Sequence, residues 1–134
     1  MFKRTFHIAV VSLFVSTLSV QAAALRENEG VTNRLVLAGI VKEIYKKCPT
    51  ISVRKLRGFM YLRSIYNYAV DQGFSHEEIE AYVENEEEEA RLLVHVNTWL
   101  SNRGAVEGNP ESYCAIGKAE IDAESPIGKF LRTD

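Results

Sequence analysis

How much of this chain is available to fold is decided by its first two dozen residues. Lys3 and Arg4 precede an apolar run from Phe6 to Val20, and Gln21-Ala22-Ala23-Ala24 follows it. The run is shorter than the roughly 20 residues a bilayer span requires, and the small residues behind it suit a signal peptidase better than a stop-transfer flank. Cleavage is expected after Ala22, with Val20 and Ala22 at the two positions that must be small; retention as an uncleaved N-terminal anchor is the competing reading. The expectation is a secretory signal over 1–22 and a single helical domain over 23–134, delivered to the periplasm and not stably inserted in the membrane after cleavage.

A domain of on the order of 110 residues buries about two-thirds of its unfolded surface and can fold alone. The whole chain carries a formal net charge of −2, and losing the two cations Lys3 and Arg4 takes it to −4. That mild acidity argues against a nucleic-acid or anionic-membrane footprint. Both cysteines, Cys48 and Cys114, lie in the exported part. An even pair in an oxidising compartment is read as a disulfide. A redox-active pair is the alternative, but it lacks the Cys-x-x-Cys spacing that lowers a thiol pKa.

The periodicity is helical. Leu35, Val36, Ile40, Val41 and Ile44 recur at steps of three and four over 31–47, and Cys48-Pro49 stops the pattern. Ser52 is expected to cap a second helix whose apolar residues, Val53, Leu56, Phe59, Met60, Leu62, Ile65, Tyr66 and Ala69, cover more than half its circumference. Such a helix is expected at the centre of a bundle, ending at Gln72-Gly73 with the glycine in the left-handed conformation. Ser75-His76-Glu77-Glu78 reads as a capping box, and Asn85, with Glu88 three residues on, as a fresh cap that breaks the third helical stretch in two. Arg103-Gly104 ends that stretch, Asn109-Pro110 opens another, and Ser125-Pro126 sets a last short turn. No segment alternates long enough to be read as a strand. The fold class is therefore all-α, a small bundle of four to five helices with one disulfide.

The segment from Cys114 to Ile121, followed by Ser125-Pro126-Ile127-Gly128-Lys129-Phe130-Leu131-Arg132, resembles the C-terminal signature of an uncharacterised domain-of-unknown-function family of short exported alphaproteobacterial proteins. Leu25-Arg26, Cys48, Gly73-Phe74-Ser75, Glu80-Ala81-Tyr82-Val83 and Arg91 match as well, so the resemblance spans nearly all of the exported part. It implies a helical secreted domain with a disulfide. It transfers no catalytic or binding residue.

Sets that carry chemistry are missing from the sequence. The exported part has two histidines, His76 and His95, no Gly-x-Ser-x-Gly turn, and no histidine with a glutamate three residues before it. The run from Glu84 to Glu89 is read as a solvated acidic face, because consecutive helical residues point in different directions and cannot converge on one ion. No cofactor, metal or catalytic residue is expected, and the chain is read as a non-enzyme. Tyr45, Phe59, Tyr61, Tyr66 and Tyr68 gather on the first two helices, mainly as core. Tyrosine with arginine is also the composition of interface hot spots. Arg57, Tyr61, Arg63 and Tyr68 are accordingly the candidate contact surface for a partner, expected to be another periplasmic protein. The functional expectation is a non-catalytic protein-binding or accessory module, with a periplasmic acid- or stress-responsive holdase as the alternative and an enzyme with an unrecognised site as the lesser one.

Overall fold

The computed structural model describes residues 24–134. The expected signal segment 1–22, its expected cleavage after Ala22 and the anchor alternative all fall outside the described residues. Residues 24–27 are helical, and Asn28 then caps the first long helix by accepting a hydrogen bond from the Val31 amide at 3.0 Å. That helix, α1, spans Glu29–Lys47 and stops at Cys48, ahead of Pro49, as the proline requires. It is followed by β1 (Ile51–Val53), α2 (Lys55–Asp71), α3 (His76–Val83), α4 (Glu86–Ser101), α5 (Pro110–Asp122), a 3-10 turn (Gly128–Phe130) and β2 (Leu131–Thr133).

Helix α1, and not α2, is the hub, packing against α2, α4, α5 and β1. Its Ile40, Val41 and Ile44 enter the main core with Cys48, Ile51, Val96, Leu100, Tyr113, Cys114, Ile116 and Phe130. The Cys48–Cys114 disulfide ties the end of α1 to α5. Gly117 lies one turn beyond Cys114 on the same face of α5, and a Cβ there would stand 2.9 Å from Ile44, so the missing side chain lets α5 settle against α1 and β1. A smaller core of Leu25, Val31, Ala69, Ile79 and Tyr82 joins the start of α1 to α2 and α3.

The expected central position of α2 is overturned. Only Ile65 and Ala69 of this helix are buried. Its wide apolar circumference comprises two faces, one on α1 and one open to solvent, and breadth alone does not say which of these a partner covers.

The structure also contains a strand pair that the sequence reading missed. β1 and β2 are antiparallel, with Ile51 opposite Thr133 and Val53 opposite Leu131. Three residues are too few for alternation to register, and the partners are far apart in sequence. This pairing displaces the expected helix start. Ser52 is held extended in β1, its hydroxyl bonded to the Asp134 carboxylate, and α2 begins at Lys55 with Arg54 at a cap position that supplies no side-chain hydrogen bond.

The remaining boundaries follow local chemistry. Gly73 adopts φ 98° after α2. The Ser75–Glu78 capping box is complete in both directions. Asn85 accepts from the Glu87 and Glu88 amides at 2.9 and 3.0 Å and starts α4. Pro110 is the first residue of α5, although the Asn109 side chain makes no cap bond. Ser125 accepts from the Ile127 and Gly128 amides to shape the last turn.

Candidate docking groove

Helix α2 packs on α1 and, at its start, on the 3-10 turn, and a groove of about 1000 Å³ opens along the α1–α2 junction. Leu37, Ala38 and Val41 of α1, Val53 of β1, Gly58, Tyr61 and Leu62 of α2, and Phe130 form its apolar surface. Lys42, Arg54, Lys55, Arg57 and Arg132 border it. A smaller depression of about 200 Å³ continues past Leu62, between Leu35, Ile65, Tyr66, Ile79 and Val83. Leu62 lines both, so the two depressions follow one another along α2, the first beside Lys55–Leu62 and the second beside Leu62–Ala69, and form the two parts of a trough divided at that side chain.

The crest beside the trough is apolar as well. Leu56, Phe59 and Met60 are 73%, 64% and 61% exposed, and Leu62, Tyr66 and Val70 are exposed along the same helix. Scattered surface leucines are ordinary, but six large apolar side chains on one helix form a contiguous patch of the kind that marks an interaction surface.

The four candidate contact residues are distributed unevenly. Arg57 borders the groove and donates from its guanidinium to the Lys129 carbonyl at 3.1 Å. Tyr61 forms part of the groove wall. Its ring centroid lies 4.9 Å from that of Phe130, its hydroxyl donates to the Arg34 carbonyl, and burial raises its pKa against the opposing charge of Arg34. Arg63 is exposed on α2 and does not line either depression. Tyr68 is engaged elsewhere, with the Arg34 guanidinium 3.8 Å above its ring. Tyr61 and Tyr68 thus pack inward, whereas Tyr45, Phe59 and Tyr66 are exposed. Missed by the sequence reading were the exposed Leu56, Phe59 and Met60, and Arg132, which reaches the groove only because β2 returns to β1. The signal for the first three was present in the excess apolar breadth of α2.

One member of the acidic run is not solvated. Glu88 is buried, receiving Arg26 Nε at 2.6 Å and Arg91 Nε at 2.9 Å, while Arg91 also donates to the Tyr82 hydroxyl at 2.9 Å. Burial opposes ionisation of Glu88, but the hydrogen bonds from Arg26 and Arg91 and their charges outweigh it and hold the carboxyl below its ordinary pKa. At the far end of α1, Lys47 bridges Glu43 and Glu107, and its pKa is raised chiefly by the hydrogen bond to Glu107. These two clusters fasten elements together. No charged member of either cluster contributes a side chain to the trough, although Tyr82 lines its smaller part, and no group of three or more His, Cys, Asp or Glu among the described residues is arranged to hold a metal ion. His76 is exposed, with Nδ1 3.1 Å from the Tyr66 hydroxyl, and His95 is exposed on α4.

The fold and the trough define a class: a disulfide-linked, predominantly α-helical domain with an open apolar face bordered by cations. No helix among the described residues is long and apolar enough to cross a membrane. The chain belongs to DUF5333, a family of unknown function, which it matches over residues 23–132. Neither a curated protein nor a solved structure matches it.

Proposed function

We propose that the protein is a non-catalytic binding or accessory module of the periplasm that engages another periplasmic protein through the open face of α2. The observation that carries this reading is the continuity of the exposed crest, Leu56, Phe59 and Met60, with the trough walled by Tyr61, Leu62 and Val41. Desolvating such a patch is favourable at about 25 cal/mol per Å² of apolar surface removed from water, and its neighbouring arginines suit a rim. The signal segment and the disulfide support the compartment.

Gentle crosslinking of the tagged, exported protein in its own envelope tests the reading. Wild type is expected to retain a stoichiometric partner, and a Leu56→Asp/Phe59→Asp double variant to lose it at unchanged thermal midpoint, since both side chains already face solvent. Equal recovery of the partner by the double variant refutes docking through this face.

A second reading, an acid-responsive holdase, draws on Glu88. Protonating this buried carboxyl removes the charge that holds Arg26 and Arg91 together, which loosens the Leu25 end of the smaller core. It requires a gain in exposed apolar surface and client protection on acidification; a dye-binding titration that stays flat down to about pH 2, below the depressed Glu88 titration, eliminates it.

A further inference from the structure

We infer that the occupant of the trough is an acidic amphipathic helix of the partner protein, lying alongside α2. This rests on the docking reading above and names the chemistry of what docks.

Three observations select that occupant. The first is charge. The groove is bordered by Lys42, Arg54, Lys55, Arg57 and Arg132, and no carboxylate lines it among the described residues, although the chain as a whole is net acidic. Lys42 lies 4.0 Å from Glu89 with both side chains largely exposed, a pair too weakly held to neutralise the border. A helix with acidic residues beside its apolar stripe would place carboxylates against cations there, and complementary charge also steers encounter.

The second is shape. The trough runs beside α2, whose 17 residues span about 25 Å, and that length holds a partner helix of about the same number of residues. Its two long walls are the surfaces of α1 and α2, with Val53, Phe130 and Arg132 closing one end, so a third helix seated between α1 and α2 meets ridges and grooves of its own kind along most of its length. The sheet edges nearby belong to β1 and β2, each three residues long, and offer an extended peptide little to pair with.

The third excludes the nearest competitor. The chain's own apolar run, Phe6 to Val20, precedes Leu25, a residue that lines the smaller depression. The first acidic residue of the chain is Glu27, so that run has no carboxylate to set against the cationic border.

The experiment uses the exported, processed protein and two labelled 18-residue peptides that share one leucine stripe, one with glutamates flanking it and one with lysines at the same positions. Binding is read by fluorescence anisotropy at low and high salt. The acidic peptide is expected to bind at least tenfold tighter than the basic one and to weaken as salt rises. A Lys55→Glu/Arg132→Glu variant, altered at two exposed side chains that make no side-chain hydrogen bond among the described residues, is expected to abolish or invert that preference while its circular dichroism melt stays unchanged. Equal binding of both peptides overturns the inference. So does displacement of the acidic peptide by decanoate at comparable concentration, which would make the trough a fatty-acid site. A dimer in sedimentation that the peptides fail to dissociate also overturns it, because the occupant would then be a second copy of the chain.

The two levels fail separately. A photo-crosslinker at Phe59 that captures the envelope partner through a basic or extended segment removes the acidic helix and leaves docking intact. Undiminished capture by Leu56→Asp/Phe59→Asp removes docking itself.

Discussion

At the residue scale, the most consequential side chain is Glu88. Taken alone it is one of six residues in a polar run, and nothing in its neighbours distinguishes it from Glu87 or Glu89. Position on α4 does: the cap at Asn85 sets the phase, which turns Glu88 inward between Arg26 and Arg91 and leaves Glu86, Glu87 and Glu89 in solvent. Glu88→Gln keeps the shape but withdraws the charge on which two guanidinium groups converge. The loss is expected to be on the order of 2 kcal/mol at pH 7, the scale for hydrogen bonds to charged groups, tempered by the partial exposure of both arginines. The pH dependence has a fixed sign. A carboxyl with a depressed folded pKa contributes fully above its unfolded pKa of about 4.3, and that contribution fades as pH falls through the depressed value. Urea midpoints of wild type and Glu88→Gln should differ at pH 7 and draw together in strong acid. A constant gap from pH 7 to 2 would show that Glu88 acts through packing instead of charge.

At the element scale, the helix starts set by short-range hydrogen bonds at Ser75 and Asn85 were legible in sequence, the Asn28 cap of α1 was passed over because the apolar pattern registers only from Val31, and the role of each helix was not legible. Asn85 is the clearest case of the first kind. Its side chain satisfies two amides within three residues, so the break between α3 and α4 follows from local chemistry alone. Asn85→Ala should cost about 1 kcal/mol in denaturant stability, with Asn85→Asp nearly neutral because a carboxylate also suits a helix N-terminus. If alanine were tolerated without loss, α3 and α4 would be held apart by packing and not by the cap. The second kind is represented by α2 and by Ser52. Which face of α2 turns inward is chosen by Arg34 and Phe130, distant in sequence, and it is these that draw in Tyr61 and Tyr68 ahead of the more apolar Phe59 and Met60. Ser52 has the right chemistry for a cap, but pairing with β2 some eighty residues later holds it extended. Of the groove, Arg57 and Tyr61 were accessible from composition, whereas Arg132 enters only through tertiary pairing.

At the scale of the whole molecule, one covalent link and one strand pair close the chain on itself. The Cys48–Cys114 disulfide joins residues 66 apart, and the enclosed loop contains β1, α2, α3 and α4. β2 then returns to β1 from beyond α5. The groove depends on both closures, since Val53, Phe130 and Arg132 reach it from β1, the 3-10 turn and β2. The chain-entropy account assigns a loop of this length about 4 kcal/mol, a large part of the roughly 5–15 kcal/mol by which small domains are stable. Reduction, or Cys48→Ser/Cys114→Ser, should therefore lower the unfolding free energy measured in denaturant by that order, with the midpoint falling accordingly. If the effect lies mainly in the unfolded chain, the folded double variant keeps its groove, and acidic-peptide binding under native conditions should match wild type within about twofold while stability falls. Loss of peptide binding at denaturant concentrations where the variant is still folded would show that the bond also positions β1 and the 3-10 turn. The disulfide would then belong to the docking site as well as to the stability of the domain.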